Sequence, residues 1–577
     1  MENRYISAAL HELAELLELS GDDGFRVAAY RRASDTVRYI PEPLANLAAQ
    51  NALTDLPGIG TGIAADINEL LTNGRLARLD QLRLALPPAL IALTQVPGIG
   101  PKTAAAIHAR LNLPDLPTYA EAIQGGALKG MKGIGARREE DILSGLRARL
   151  GAEGRLLLGT AYRQYTLLTN DFAARCGDII VQPIGSLRRF APTVGDVDIL
   201  ATTDNTARAL DAFITLPDVL SVIERTTDAC RVRLIDGGTA EMIVRSPSRV
   251  GGALLFLTGN KTIGADVGFR EALVAHAAAR GFTLDAQGLR RGEVWVEGDE
   301  VAAFAALDLP MIPPELREGA AALDAILAHG LPRLVTLADI RGDLHTHTTN
   351  SDGSGTVAEM IAAAIRQGYS YYGISDHSVS LKIAHGLDAT RLHAQAAEIA
   401  SIDTPLRVLC SCELEVLGDG RLDLDDATLA TLDYAIASVH SGQRGDRATV
   451  TMRTLAAIRN PYVDIIGHPT GRLLLHRESM NLDLDAVISA AAETATALEI
   501  NGDYHRLDLD APVARRAADA GVILTVNSDA HGPNGLNNMH YGVMTARRAW
   551  LPPEKLLNCW PVEDILARRT RRLASQG

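Results

Sequence analysis

The C-terminal part of the chain repeats one pattern, an apolar strand that ends in a polar metal-type ligand, about every thirty residues. The pattern begins with GDLHTHTTNSD (342–352) and continues through YYGISDH (371–377), VLCSCE (408–413), AIASVH (435–440), DIIGH (464–468), ALEIN (497–501) and LTVNSDAH (524–531). Stretches of helical periodicity, such as 357–367 and 482–492, lie between these strands. Alternating strands and helices with this period predict a parallel β/α barrel whose ligands gather at its C-terminal rim.

Six histidines, two aspartates and one glutamate in this pattern are candidate metal ligands. They are His345, His347, Asp352, His377, Glu413, His440, His468, Asp529 and His531. Nine ligands are too many for one ion and are enough for two or three. Imidazole and carboxylate without thiolate suit Mn, Zn or Fe and do not choose among them. Paired ions generate hydroxide near neutral pH and hold both oxygens of a phosphoester displacement, so we predict a multinuclear metallohydrolase.

The remaining histidines of this region carry a weaker signal. His385, His393, His476 and His505 lie away from the strand ends, and we expect them to be surface or helix residues. His540 fits either a structural position or one that faces the metal site. A single buried histidine is more often hydrogen-bonded than metal-bound, so the metal prediction depends on the whole series in register.

The same motifs, spread over roughly 340–577, resemble the polymerase and histidinol phosphatase (PHP) domain. That family is a distorted (β/α)7 barrel that binds three metals. Each of its nine ligand positions falls on one of the nine residues named above, with no gap. The resemblance therefore implies two to three ions, Mn, Zn or Fe, in the C-terminal barrel.

Length and composition indicate several domains. The chain has 577 residues, and 47% hydrophobic content is ample for packed cores. It shows no apolar run of membrane-spanning length and no secretory signal, and its five cysteines are sparse and odd in number, which favours a reduced cytoplasmic protein. The net charge of −14 falls mainly after residue 150, while the N-terminal part has basic runs such as FRVAAYRRA (25–33). Binding of nucleic acid through a local patch is therefore possible.

The first 150 residues contain three short glycine repeats. They are LPGIGTGIAADI (56–67), VPGIGPKTAAAI (96–107) and MKGIGARREEDI (131–142), with the glycine pairs Gly58 and Gly60, Gly98 and Gly100, and Gly133 and Gly135. Each is a turn followed by a helical pattern, so glycine would allow close approach of a ligand and the helix N-terminus would offer free amides to an anion. The alternative is a set of turns used only for packing. The repeats resemble helix-hairpin-helix motifs, which hold the DNA backbone without reading sequence.

The segment VQPIGSLRRFAPTVGDVDILATT (181–203) carries a second candidate site. Asp196 and Asp198 lie on the same face of a predicted strand, because side chains alternate with period two. Two adjacent carboxylates repel each other unless a cation lies between them, which indicates a divalent metal. Ser186 and the following arginines could hold a triphosphate.

This segment resembles the palm of the family X nucleotidyltransferases, the polymerase beta group, and the likeness continues to about residue 320. FLTGNK (256–261) looks like the hinge between palm and thumb, and LPMIPPELREG (309–319) matches the segment that precedes the PHP barrel in bacterial members. Carried over by position, Gly185, Ser186, Arg189 and Gly195 would bind the nucleotide, and Asp196 and Asp198 would bind Mg or Mn. Nearly the whole chain thus resembles a bacterial family X DNA polymerase.

The sequence departs from this family at informative positions. Glu241 stands where the family has its third catalytic aspartate, and its extra methylene would displace a carboxylate that acts as general base. Asn260 replaces the usual hinge serine, and 262–270 looks longer than its counterpart. The Schiff-base lysine of some relatives is replaced by Asp66, and Gly62 fills another usual lysine position, so lyase chemistry by that route is not expected.

The sequence therefore predicts a multidomain α and α/β protein. The predicted parts are an N-terminal helical domain (1–85), a fingers-like helical domain (86–150), an α+β palm (151–250), a thumb (251–320), a linker (321–339) and the PHP barrel (340–577). The resemblance implies gap-filling nucleotidyl transfer in the palm, with catalytic Asp196, Asp198 and Glu241. It also implies metal-dependent 3′–5′ exonuclease, abasic-site or 3′-end processing in the barrel. Predicted partners are gapped, nicked or 3′-ended DNA and dNTP. We expect a monomer, cytoplasmic and nucleoid-associated, with no membrane association.

Two alternatives stay open at this point. In one, the palm is weakly active or inactive because of Glu241, and the protein is a DNA-binding nuclease or phosphatase. In the other, the chain is a DNA-end scaffold whose barrel hydrolyses a small phosphate ester. The three hairpin motifs make a free metabolite the poorer substrate.

Overall fold

The structure, a computed structural model, describes residues 3–39, 44–94, 96, 99–135, 138–140, 142–143, 145–146, 155–234 and 238–576. The chain forms two compact units, 1–153 and 154–577.

The first unit is helical in its described residues. Its helices are Asn3–Leu19, Gly24–Tyr39, Leu44–Ala49, Thr61–Asn73, Ala77–Ala85, Pro88–Thr94, Pro101–Leu111 and Leu116–Gln124, with a 3-10 turn at Leu53–Asp55. Burial follows the helical period: in Thr61–Asn73 the buried residues are Ile63, Ala64, Ile67 and Leu70. Leu53 to Leu79 pack with the first two helices in one core, and Leu90 to Leu146 form another. The described residues of this unit therefore contain two hydrophobic cores.

The second unit begins with an α+β domain. Its strands are β1 (Leu156–Leu157), β2 (Ile180–Pro183), β3 (Thr193–Val194), β4 (Val197–Thr202), β5 (Val219–Arg225), β6 (Ala229–Leu234) and β7 (Thr239–Arg245). Five of them form a sheet in the order β2-β4-β7-β6-β5, in which β4 and β7 are parallel and pair Asp198 with Glu241. The helices Leu158–Cys176 and Thr206–Ile214 cover this sheet, burying Phe172 and Phe213. The sheet therefore brings two of the predicted catalytic carboxylates side by side.

A smaller domain with its own core follows. It contains the helices Val250–Thr258, Phe269–Ala278, Glu300–Ala306 and Ala320–His329, and the antiparallel strands β8 (Thr283–Asp285), β9 (Gly288–Arg291) and β10 (Val294–Trp295). Leu255, Phe269 and Phe304 are fully buried in this core. The helix Ala320–His329 packs in this core, so the domain continues into 321–329, which the sequence analysis assigned to a linker.

The C-terminal domain is a parallel barrel. Its strands are β11 (Gly342–Asp343), β12 (Tyr371–Ile374), β13 (Arg407–Cys410), β14 (Glu413–Glu415), β15 (Ile436–Ser438), β16 (Ile465–Ile466), β17 (Ala497–Asn501) and β18 (Leu524–Asn527). Single bridges between His377 and Glu413 and between Thr346 and Ala530 join the parallel runs β11-β13 and β14-β18. Only Ser411 and Cys412 separate β13 from β14, so within 238–576 the barrel has seven strand positions. The predicted distorted (β/α)7 barrel is confirmed.

Helices connect the barrel strands on the outside. They are Val357–Arg366, Ala389–Ser401, Asp426–Leu429, Arg447–Arg459, Leu484–Thr494, Ala511–Asp519, Met539–Arg548 and Val562–Gln576. Most begin at an aspartate or threonine whose side chain caps the first turn, such as Thr356, Asp388, Asp446 and Asp510. In the part of the chain that the structure describes, no helix is long and apolar enough to cross a membrane.

Candidate metal centre and polymerase site

The barrel rim gathers all nine predicted ligands. His345 and His347 follow β11, His377 follows β12, His440 follows β15 and His468 follows β16. The other four are Asp352 in the loop after His347, Glu413 at the start of β14, and Asp529 and His531 after β18. Subsets of these residues place their ligand atoms within 4.8 Å of one another: His347, Asp352, His377 and His531; His345, Glu413 and His468; His345, His347 and Asp529; and His377, Glu413 and His440.

Glu413 lies at the centre of this cup. Its Oε2 is 2.9 Å from His377 Nδ1 and 3.3 Å from His345 Nε2. Its Oε1 is 3.0 Å from His468 Nε2 and 3.3 Å from His440 Nε2. Burial acts to raise the pKa of Glu413, but the facing imidazoles outweigh it and hold that pKa well below its usual range. The carboxylate is therefore ionised and available to bridge two cations.

The two aspartates, Asp352 and Asp529, contact other histidines of the cup. Asp529 Oδ1 is 3.2 Å from His347 Nε2, and Asp352 lies 3.6 Å from His377 Nε2 and 3.4 Å from His531 Nε2. His468 and Asp529 both adopt positive φ, at 26° and 54°. Non-glycine residues rarely take this conformation, and such strain clusters at functional sites.

Unsatisfied buried atoms show that this cup fits metal ions. Nε2 of His345, both ring nitrogens of His347, Nδ1 of His377 and both carboxylate oxygens of Glu413 are buried without a well-formed hydrogen bond to another group that the structure describes. Buried polar atoms are nearly always hydrogen-bonded, and leaving one unpaired costs about 1–3 kcal/mol. Nitrogen lone pairs and carboxylate oxygens that converge in this way match the donor set of Mn, Zn or Fe.

A second layer of carboxylates orients the histidines. Glu499 Oε1 lies 2.8 Å from His345 Nδ1, and its Oε2 accepts a 2.6 Å hydrogen bond from the His468 amide. Glu415 Oε2 lies 2.9 Å from His440 Nδ1. Such partners fix the imidazole so that its other nitrogen faces the ion. The sequence pattern missed both glutamates, although a carboxylate inside an apolar strand such as ALEIN is a usable signal.

Three further residues near the rim have structural positions. Asn501, which ends its strand as the pattern predicts, donates to Asp529 Oδ2 at 2.9 Å. The His540 ring packs 5.2 Å from the Phe190 ring of the palm, outside the ligand groups. Arg506, which sequence analysis missed, has Nε 3.8 Å from Asp529 Oδ2 and a buried Nη1 without a well-formed hydrogen bond among the described residues. Arg506 therefore has a guanidinium nitrogen available for an anion beside the ligand groups.

The palm carboxylates also form an acidic pocket. Gly185 has φ +61°, and a Cβ at this position would lie 2.7 Å from Asp198 Oδ2, so glycine is required for this turn. Burial, followed by the charges of Asp196 and Glu241, raises the pKa of Asp198 to about 7. A divalent cation would relieve this repulsion, and the oxygen-only donors suit Mg or Mn.

Other palm groups already have protein partners. Asp196 accepts hydrogen bonds of 2.5 Å from Arg231 and Thr239, so both of its oxygens are engaged. Arg189 is buried and donates to the Thr258 carbonyl at 2.7 Å and to Glu318. Ser186 and Gly195, which are close to these residues in sequence, are half-buried. The nucleotide-binding roles of Gly185, Ser186, Arg189 and Gly195 stay predictions.

The hairpin glycines are of two kinds. Gly58 and Gly133 have φ of +79° and +84°, which alone explains glycine there. Gly60, Gly100 and Gly135 have ordinary φ, and a Cβ on any of them would meet no atom within 4 Å.

The three turns share one backbone bond. In each, the amide of the residue between the glycines (Ile59, Ile99 or Ile134) donates to the carbonyl three residues earlier. Gly98 lies outside the described residues. Because neither packing nor backbone requires glycine at Gly60, Gly100 and Gly135, the open space in front of these turns favours binding over packing.

Comparisons with known proteins agree with this architecture. Family models match a helix-hairpin-helix domain at 1–76, a SAM-like helix-hairpin-helix tandem at 90–148, a DNA polymerase beta thumb at 253–318 and a PHP domain at 343–502. The DNA polymerase/3′-5′ exonuclease PolX of Bacillus subtilis (strain 168) is 33% identical over 575 residues, covering 98% of this chain and 99% of the relative. The chain belongs to the bacterial family X DNA polymerases that carry a PHP domain.

The barrel of this family X polymerase also has shorter relatives. A probable phosphatase of Edwardsiella ictaluri (strain 93-146) is 30% identical over 242 residues, which are 40% of this chain and 95% of the relative. A probable phosphatase of Thermoanaerobacter sp. (strain X514) is 27% identical and covers 41% of this chain and 97% of the relative. The barrel is therefore similar to proteins that consist of little else.

Filling the open glycine turns should weaken DNA binding without unfolding the protein. We expect Gly60→Val with Gly100→Val to lower affinity for a gapped duplex about tenfold for every sequence and to reduce the salt dependence, because backbone approach is blocked. Fluorescence anisotropy over a salt series measures this. Gly24→Val, at a helix start outside these turns with equally open space, is the matched control. Unchanged affinity in the double variant would assign the turns to packing.

Removing the carboxylate behind His345 should weaken metal binding. Glu499→Gln places an amide donor against the His345 ring or the His468 amide, and loss of such a partner costs about 10–100-fold in metal affinity. Calorimetric Mn²⁺ titration of the metal-stripped protein measures the change. His393→Gln, an exposed helix position, should leave the titration unaltered. Equal affinities in the Glu499→Gln variant and the parent would contradict the orienting role.

Proposed function

We propose that this protein extends DNA 3′ ends in its palm and removes nucleotides from 3′ ends in its barrel, acting on gapped, nicked or 3′-ended DNA in repair. The observation that carries the proposal is the convergence of nine ligands, with unsatisfied buried atoms, in a chain that also has helix-hairpin-helix domains and a polymerase thumb. The relative from Bacillus subtilis is named for both activities.

In the barrel, one set of side chains would hold the metal ions, and another set orients those ligands and the substrate. Two to three ions, Mn, Zn or Fe, would be held by the nine ligands, with Glu413 shared between groups. When bound, such ions supply a nucleophile at neutral pH and stabilise charge on a phosphoester. Because its Nδ1 lies 2.8 Å from Glu499 Oε1, His345 would carry its proton on Nδ1 when a metal is bound and present Nε2 to the cup. Arg506 would hold a nonbridging oxygen of the scissile phosphate through its unsatisfied Nη1.

In the palm, Asp196, Asp198 and Glu241 would hold Mg or Mn, and dNTP is the proposed substrate. The turn at Gly185 brings the backbone against Asp198, so a triphosphate can approach the carboxylates closely. Glu241 is proposed to accept the proton of the primer 3′-hydroxyl. The same pocket favours a second candidate, a polymerase of low activity, because Arg231 already pairs with Asp196 and the Glu241 carboxylate is carried on a longer side chain. A monomeric state and nucleoid association stay predictions.

Disabling the barrel should separate the two activities. His345→Ala with His347→Ala removes two rim ligands, and we expect 3′–5′ digestion of a labelled single strand in Mn²⁺ to fall at least about 100-fold, because these ligands position the reacting groups. Primer extension should persist, since both residues lie outside the palm. His393→Ala, at an exposed position on an outer helix away from the strand ends, serves as control. Undiminished digestion by the double variant would remove the barrel from the reaction.

Glu241 should limit the polymerase without abolishing it. Mn²⁺ tolerates irregular coordination better than Mg²⁺, so we expect faster gap filling in Mn²⁺ and, for Glu241→Asp, about a tenfold gain in Mg²⁺ from improved placement of the carboxylate. Single-turnover gap filling in both metals, in the His345→Ala background, measures the rates without digestion of the product. A parent enzyme faster in Mg²⁺, or an aspartate variant slower in both metals, would show that the pocket is adapted to glutamate.

A further inference from the structure

The rim loop that follows β17 carries Arg506 and packs into the palm. Leu507, the next residue, belongs to the barrel in sequence but lies buried in the hydrophobic core of the palm. That core is formed by the palm sheet and the helix Leu158–Cys176. A leucine from the barrel rim therefore completes the core of another domain, and the main chain on one side of Arg506 is held there.

Tyr504, on the other side of Arg506 in sequence, packs against the same palm helix. A Cβ on Gly159 would lie 2.4 Å from Cγ of the Tyr504 ring, a distance at which one of the two groups must move. Gly159 lies in the first turn of the helix without a positive φ, so the ring and not the backbone accounts for glycine there. The Tyr504 hydroxyl accepts a 3.2 Å hydrogen bond from Arg163 Nη2.

Between these two anchors, the side chain of Arg506 reaches back to the metal centre. Its Nε is 3.8 Å from Asp529 Oδ2, and its buried Nη1 has no well-formed hydrogen bond to another group that the structure describes. The amides of Arg506 and Leu507 both donate to the Asp503 carbonyl, at 2.8 and 2.9 Å. Residues 503–507 are thus one short turn, so displacement of either anchor also displaces the guanidinium.

The barrel alone holds this turn only from the opposite side. Arg472, in the loop after β16, donates to the Arg506 carbonyl at 2.8 Å and also to the Leu507 carbonyl. These bonds fix two carbonyl oxygens and contact neither the Tyr504 ring nor the Leu507 side chain. A loop that positions a functional group needs rigid support, and on the side of these two side chains the palm supplies it.

We propose that the palm positions Arg506 for the reaction of the barrel. The contact of Gly159 with Tyr504 and the burial of Leu507 would fix the guanidinium where it can bind a phosphate beside the metal ions. This inference rests on the proposed function, in which Arg506 holds the scissile phosphate. Gly159, a residue of the polymerase domain, is then a positioning residue of the phosphoesterase. The barrel needs the palm in this way whether or not Glu241 permits polymerisation.

Inhibition by inorganic phosphate measures the placement of Arg506 separately from metal binding. The assay is hydrolysis of bis(p-nitrophenyl) phosphate by the full-length protein in Mn²⁺. Arg506→Gln should raise the inhibition constant of phosphate about tenfold, the size expected for one lost charged hydrogen bond. Gly159→Ala should raise it by a similar factor, because the added Cβ displaces the Tyr504 ring and the turn behind it. Calorimetric Mn²⁺ affinity should stay at the parent value in both variants, since all nine ligands are retained.

Combination of the two changes tests whether they act on the same contact. Gly159→Ala with Arg506→Gln should have the inhibition constant of Arg506→Gln alone, because the alanine can disturb only a contact that is already lost. Tyr504→Ala removes the ring without adding an atom, and it should raise the constant in the same direction even if alanine at position 159 impairs folding. Ala173→Leu, which adds bulk at an exposed position of the same helix, is the matched control and should behave as the parent does.

The possible results separate this inference from the proposed function. Parent values in Gly159→Ala and Tyr504→Ala, beside a raised constant in Arg506→Gln, would overturn the inference and leave the proposed function standing. Weaker Mn²⁺ binding in Gly159→Ala, or a double variant worse than Arg506→Gln, would also overturn it, because the helix would then support the whole rim. An unchanged constant in Arg506→Gln would show that the phosphate contact of the proposed function is itself wrong.

Discussion

The barrel depends on one buried carboxylate, Glu413, held in contact distance of four imidazoles. Removing an ion from water costs several kcal/mol in a protein, and that cost is offset only by close charges of opposite sign. His345, His377, His440 and His468 supply these charges or, when unprotonated, the lone pairs that hold a cation against the carboxylate. Four strands must therefore end at the same height. The seven-position barrel provides this, because parallel strands present their carboxyl ends at one rim.

The carboxylates of the palm also need nearby positive charge, but different groups supply it. Asp196, Asp198 and Glu241 are three carboxylates without a histidine among their ligand-distance partners in the described residues. Burial and then their mutual repulsion raise the pKa of Asp198, and Arg231 pairs with Asp196. An arginine cannot give up its proton and cannot bind a metal, whereas a histidine can do both. A cation entering the palm must therefore compete with Arg231 for Asp196, while a cation entering the barrel meets free nitrogens. We therefore expect the palm and the barrel to differ in their metal requirements.

Periodicity predicted the parallel barrel, and the family resemblance implied its seven-position form, the palm and the thumb. The nine candidate ligands lie together because a ligand near a strand end has a position fixed by the fold. Groups that act through another side chain were missed. In the sequence, Glu499 and Glu415 are only polar residues within apolar strands. Their role follows from their contacts with the rings of His345 and His440, which the structure shows. Arg506 gave no signal because nothing in its loop sequence fixes where the side chain points. The palm is intermediate: the Asp198–Glu241 pairing follows from strand register, but the partners of Arg189 depend on where the thumb segment packs.

The helix Met539–Arg548 limits how the two activities can cooperate. It follows the ligands Asp529 and His531 in sequence, and its Arg548 pairs with Glu318 at 2.6 Å and donates to the Arg189 carbonyl, while Arg547 pairs with the buried Glu315.

Aromatic contacts continue the same connection. The Tyr541 ring lies near Tyr162, and Tyr162 stacks on Phe190 at 5.3 Å. Tyr504, near Arg506, packs so closely on Gly159 that a Cβ there would lie 2.4 Å from its ring. Glu315 is buried, and separating it from Arg547 would have to occur together with loss of the Arg548–Glu318 pair and of these aromatic contacts. Reorientation of the barrel toward the palm is therefore costly, so a 3′ end that is to be both extended and trimmed must itself move between the two centres.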